Sequence, residues 1–146
     1  MKVDKTEGAA RTQVSFRIFA SHLIPEEVTK NLNLMPDHVH RQGDFPKGNP
    51  SFSAYKHGMW LLKSKLPEEQ PLESHLEHLL SILETDHSYI HMLSQNTTVD
   101  FYCILYSQSG FQLSSQLLKR VSELKAVLGV VVYNDDTILD PELGST

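Results

Sequence analysis

Apolar residues recur at every second position in two separated stretches of this chain and at helical spacing in the segments between and after them. That switching of period limits the fold more than any other feature. Val14, Phe16, Ile18 and Ala20 alternate with Ser15, Arg17 and Phe19. Successive side chains of a strand point to opposite faces, so the pattern predicts a half-buried strand. Val99, Phe101, Cys103 and Leu105 alternate with Asp100, Tyr102, Ile104 and Tyr106. Here both sets are apolar beyond Asp100, as in a central strand covered on one face and partly covered on the other. Plotted at about 100° per residue, Leu72, Leu76, Leu79, Leu80, Ile82 and Leu83 share one arc, with Glu73, Glu77, Ser81 and Glu84 opposite. This predicts an amphipathic helix over residues 72–84. Leu113, Leu117, Val121, Leu124 and Leu128 form another stripe. Ser114 or Ser115 is suited to cap its start, and Gly129 to end it with a left-handed backbone.

Punctuation supplies the remaining elements. Pro25 followed by Glu26 and Glu27 suits the first turn of a helix, where proline lacks only an N–H that would be unpaired anyway and carboxylates meet the positive end of the dipole. Val28, Leu32 and Leu34 give it an apolar edge, and Pro36 forbids continuation by pushing Met35 towards extended geometry. Residues 36–57 hold three prolines, two glycines and few regularly spaced apolar residues. They read as a long loop, a type more often functional than short loops. Gly58 then releases Met59, Trp60, Leu61 and Leu62 as a short strand, and Val130, Val131, Val132 and Tyr133 form a last one. Residues 86–95 are less regular, a short helix or a turn. The order strand–helix–strand–helix–strand–helix–strand predicts an α+β two-layer sandwich, with a four-stranded mixed sheet and helices mainly on one face. A three-layer doubly wound fold would ask for more strands and a Gly-rich first turn, which Ala20-Ser21-His22-Leu23 does not offer. Residues 1–12 read as a flexible tail, 13–134 as one domain, and 135–146 as an acidic tail.

A chain of 146 residues with 40% hydrophobic and 21% charged residues can bury a core without metal or disulfide staples. Its one cysteine, Cys103, lies within a strand pattern and reads as a small buried hydrophobe. The polar first residues and the lack of a long apolar run point to a cytoplasmic protein with no membrane contact. The net charge of -5 disfavours nucleic acid. Charge is uneven: residues 1–70 carry +2 and residues 71–146 carry -7, so a basic partner surface suits the second half.

A family likeness rests on the helix start Pro25-Glu26-Glu27-Val28, the following Leu32-Asn33-Leu34-Met35-Pro36, and the pair Gly43-Asp44. Gly58-Met59-Trp60, then Leu113-Ser114 with Leu117-Leu118, leading into Val131-Val132-Tyr133, complete it. In this order of features, spanning residues 14–134, the chain resembles the bacterial family of domain of unknown function 4279. That family tends to place Gly where Asn33 stands; Asn best tolerates a left-handed backbone among other residues, so the turn survives. The resemblance implies a small soluble bacterial domain and no activity.

Three constellations are candidates for function. Arg41, Asp44, Trp60 and Lys63 form a ligand set, with Arg41 and Lys63 as an anion-binding pair beside an aromatic wall. The plainer alternative makes Trp60 core, its indole N–H bonded to a loop carbonyl, and Asp44 the acceptor of an Asx turn. All eight histidines lie between His22 and His91, and His38, His40 and His57 form a weak metal set. Arg17 and Phe19 with Tyr102, Ile104 and Tyr106 would stand on the sheet face left open by the helices, a partner surface. No Gly-x-Ser-x-Gly, phosphate loop or dinucleotide fingerprint occurs, and no cofactor is expected. The favoured expectation is a non-enzymatic protein-binding module, immunity-like or self-associating. The alternative is a small-ligand or metal-binding domain using the loop and Trp60.

Overall fold

The computed structural model describes residues 9–134. The expected tails therefore fall outside the described residues at 1–8 and 135–146, while Arg11 and Thr12 belong to the first strand. The elements are β1 (Arg11–Ala20), α1 (Pro25–Leu32), β2 (His38–His40), β3 (Gly58–Lys63), α2 (Leu72–Leu83), α3 (His87–Leu93), β4 (Thr98–Tyr106), α4 (Ser115–Glu123) and β5 (Val127–Tyr133). One mixed sheet runs in the order β2-β3-β1-β4-β5. Its first three pairings are antiparallel, and β5 joins β4 in parallel through α4.

The sheet thus has five strands where the sequence predicts four. The additional strand β2 lies inside the expected loop and spans three residues, too short for a period of two to be read. It pairs with β3 along the sheet edge, Val39 opposite Trp60.

One sheet face carries the hydrophobic core. Val14, Phe16, Ile18, Trp60, Leu62, Val99, Phe101, Cys103 and Leu105 pack with Val28 and Leu32 of α1, the leucines of α2, Ile90 of α3, and Leu117 and Val121 of α4. These strand residues have the predicted alternation, and the helices bring the predicted stripes. Leu72, Leu76, Leu79, Leu80 and Leu83 are all buried along α2. Helix boundaries follow local chemistry at most ends. Pro25 opens α1, and Asn33 closes it at φ 55 in the left-handed conformation. The Ser114 hydroxyl accepts the Leu117 N–H at 3.1 Å to start α4.

The end of α4 departs from expectation. The helix stops at Glu123, Lys125 takes the left-handed turn at φ 59, and Gly129 lies within β5. The opposite sheet face also differs from the expected open layer, because Met59, Leu61, Ile104 and Tyr106 are all buried on it.

Candidate functional site

On the face turned away from the helices, the register sets out rows of side chains. His40, Met59, Phe19 and Thr98 lie across from one another, and His38, Leu61, Arg17 and Asp100 form the next row. Arg17 anchors the second row. Its Nε and Nη2 donate to the two carboxylate oxygens of Asp100 at 2.9 and 2.7 Å, a bidentate fork between neighbouring strands. Its guanidinium carbon stands 4.7 Å from the Phe19 ring centroid and 4.1 Å from that of Tyr102. The cation is 6% exposed, and its third nitrogen, Nη1, is buried with no hydrogen-bond partner among the described residues. A buried guanidinium of this kind is tolerable because its charge is paired and its faces meet aromatic rings.

At the sheet edge, His38 and His40 point to the same side, as alternate residues of a strand must. Their ring nitrogens Nε2 and Nδ1 approach to 2.8 Å, so one imidazole donates to the other. Tyr55 from the long connection stacks on the His40 ring, centroids 3.4 Å apart and planes 5° from parallel. Burial, and after it the neighbouring His38, push His40 down to about 4, against smaller opposing effects from the His57 backbone and Asp44. His40 is therefore neutral near pH 7.

The connection itself is built rather than loose. Its two limbs exchange hydrogen bonds: Gly43 N–H donates to the Tyr55 carbonyl at 2.9 Å, and Tyr55 N–H donates to the Asp44 carbonyl at 2.8 Å. Asp44 fastens the turn from its far side, its Oδ2 accepting the Arg41 N–H three residues earlier at 2.8 Å, which is not the expected Asx turn. Gly43, at φ 91, supplies a backbone conformation that residues with a Cβ avoid. Compact loops with near ends and internal bonding are the Ω type.

Between this connection and the end of the sheet lies a cleft of about 940 Å³. Arg17 and Phe19 line it from β1, and Phe52, Tyr55 and His57 from the connection. Gln95, Asn96 and Thr97 before β4, with Thr98 at its start, complete the wall. The size falls in the range of small-molecule sites, and the mixture of aromatic walls with a few polar groups is their usual make-up.

The sequence-predicted ligand set does not gather here. Trp60 is fully buried on the helix side, its indole N–H donating to the Thr29 hydroxyl at 3.0 Å rather than to a loop carbonyl. The Arg41 guanidinium pairs with Glu26 of α1. Lys63 is exposed at the far end of β3, its backbone N–H bonded to Asp37 at 2.7 Å. Asp44 bonds back to the Arg41 N–H instead of forming the expected Asx turn. Of the metal set, His40 and His57 line the cleft while His38 bonds to His40, and among the described residues no three His, Cys, Asp or Glu side chains could hold a metal ion.

The expected open aromatic face is corrected as well. Tyr106 is 0% and Ile104 1% exposed, Phe19 and Tyr102 are half-buried, and Arg17 is locked by Asp100. Sequence reasoning missed Phe52, Tyr55 and the Gln95-to-Thr97 turn, which lie in connections without periodicity. Three aromatic residues, Phe45, Phe52 and Tyr55, in a Pro- and Gly-rich segment were the one available signal.

This is an α+β domain with one mixed sheet, helices filling one face, and a bonded connection forming a cleft at the other. The chain belongs to the family described as Domain of unknown function (DUF4279), whose model matches residues 10–135. No curated protein and no solved structure matches the chain.

Proposed function

We propose that this domain is a non-enzymatic module that binds a small ligand in the cleft beneath the 41–57 connection. The observation that carries this reading is the cleft of about 940 Å³ between Arg17 and Phe19 on the sheet and the His40–Tyr55 stack. Its ionisable groups are arranged to hold rather than to react. Arg17 is fixed by Asp100, and His40 is fixed between His38 and Tyr55. Preorganised walls of this kind lower the ordering cost of binding. The family resemblance favours a bacterial setting, and the lack of a long apolar run favours a cytoplasmic one.

A protein partner is the second reading, favoured by the exposed Val127 and Val132 on the edge strand β5. Exposed edges invite strand addition or self-pairing. Light scattering across a concentration series distinguishes it, since self-association appears as a rise in mass.

A fragment library read by thermal shift and by amide NMR tests the principal reading. Ligand binding raises the melting temperature, and the perturbed amides should cluster at Phe19, Tyr55 and Thr98. A broad library giving neither shift nor clustered perturbation would overturn it.

A further inference from the structure

The cleft has a charge character that the rest of the molecule does not share. The chain carries a net charge of -5, yet among the described residues the ionisable ones lining the cleft are Arg17, His40, Tyr55, Lys56 and His57, with no carboxylate. Asp100, the counter-ion of Arg17, is not part of the lining. Lys56 and His57 are exposed at the rim. Arg17 brings a nine-tenths buried guanidinium to the inner wall, its charge paired with Asp100. Because Arg17 is paired with Asp100 and its Nη1 is sealed from solvent, the exposed Lys56 and His57 at the rim are the groups that can donate directly to an oxyanion in the cleft. Beside these cationic groups stand Phe19, Phe52 and Tyr55, which offer ring faces and edges to a flat apolar body.

Resting on the ligand-binding reading above, we propose that the cleft takes a small aromatic carboxylate. The ring lies among Phe19, Phe52 and Tyr55, and the carboxylate lies within reach of Lys56 and His57 at the rim. Rim donors with no carboxylate among the described lining residues discriminate against a neutral isostere, because only the anion gains charge-assisted hydrogen bonds there. They discriminate against a cation by repulsion. The aromatic walls discriminate against an anion without a ring, which leaves the apolar surface of the cleft wet.

Three probes separate the contributions: 2-naphthoate, its neutral carboxamide, and acetate, each titrated by calorimetry and by amide NMR. The expected result is naphthoate binding at least tenfold more tightly than the carboxamide and far more tightly than acetate, with perturbations at Phe19, Tyr55 and Thr98. Lys56→Gln and His57→Gln, both exposed, should weaken naphthoate several-fold while leaving the carboxamide and the melting temperature unchanged. Carboxamide binding as tight as naphthoate at the same amides would overturn the anion proposal and leave the ligand-binding reading standing. Naphthoate perturbations elsewhere on the surface would overturn the placement. If no probe binds and the neutral fragment library is also silent, the ligand-binding reading fails and the proposal falls with it.

Discussion

Arg17 shows how one side chain can decide the character of a sheet face. By sequence it is a single charge within an alternating strand, and a surface position is the plain reading. In the fold it reaches Asp100 on β4 and lies over two aromatic rings. Truncating one partner of such a pair leaves the other charge buried. Arg17→Leu should therefore lose about 3–5 kcal/mol of unfolding free energy. The double variant Arg17→Leu with Asp100→Leu should recover most of that, which urea titration of the four proteins of the cycle will show. Gly58 makes a steric argument of similar sharpness. A Cβ added there would stand 2.9 Å from the Leu23 Cβ and 3.2 Å from the Ala20 carbonyl oxygen. Gly58→Ala should cost about 1–3 kcal/mol by overpacking, read as a lower urea midpoint with an unchanged slope.

The secondary elements show what local sequence can and cannot specify. Pro25, Asn33 and Ser114 do locally what their chemistry predicts, because a cap or a left-handed turn depends on a few neighbouring groups. The stripes of α2 and the alternation of β1 and β4 are equally legible, since one face of each must enter the core. The end of α4 is not. Leu124 and Leu128 continue the helical stripe, yet Val127 opens β5 opposite Asp100. Pairing with a buried strand far away in sequence outweighs helical spacing over four residues. Strand β2 was hidden for another reason: its identity comes from its partner β3, and three residues carry no period of their own.

The β2 edge also sets a pH dependence. His40 is held down to about 4 by burial and by His38, and burial lowers His75 too. An unfolded histidine titrates near about 6.5. Between those values the unfolded chain binds more protons, so stability falls as pH is lowered and is fully present above about 6.5. The carboxylates Asp37 and Glu84 are lowered mainly through Lys65 and Arg120 against the opposing effect of burial. Their contribution is lost only at lower pH, below their unfolded values. The urea midpoint should therefore drop between pH 7 and 4.5, and His40→Gln should reduce that drop, with His75 supplying the remainder. A His40→Gln profile that parallels the parent would refute the assignment.

At the scale of the whole molecule, one core joins every helix to the sheet through a continuous set of buried side chains. Unfolding should be a single transition, with the fluorescence of Trp60, the one tryptophan, and far-UV circular dichroism giving coincident curves in urea. The site was less legible than the fold for a reason that belongs to this scale. Covering of the second sheet face depends on where a connection without periodicity comes to rest, and no local pattern encodes that. The tryptophan, arginine and lysine that attracted notice as a cluster fall within one stretch of sequence, residues 41–63. In space the sheet separates them, with Trp60 in the core, Arg41 against α1 and Lys63 at the other end of its strand.

The paired hydrogen bonds between Gly43 or Asp44 and Tyr55 clamp the base of the connection, so the segment 45–54 hangs from a closed neck. Lengthening a segment so fastened costs little, since closure entropy grows only with the logarithm of its length. The neck therefore makes this domain a natural grafting scaffold: foreign peptides spliced between Phe45 and Ala54 would re-tailor what the pocket admits while the β-framework beneath keeps its register.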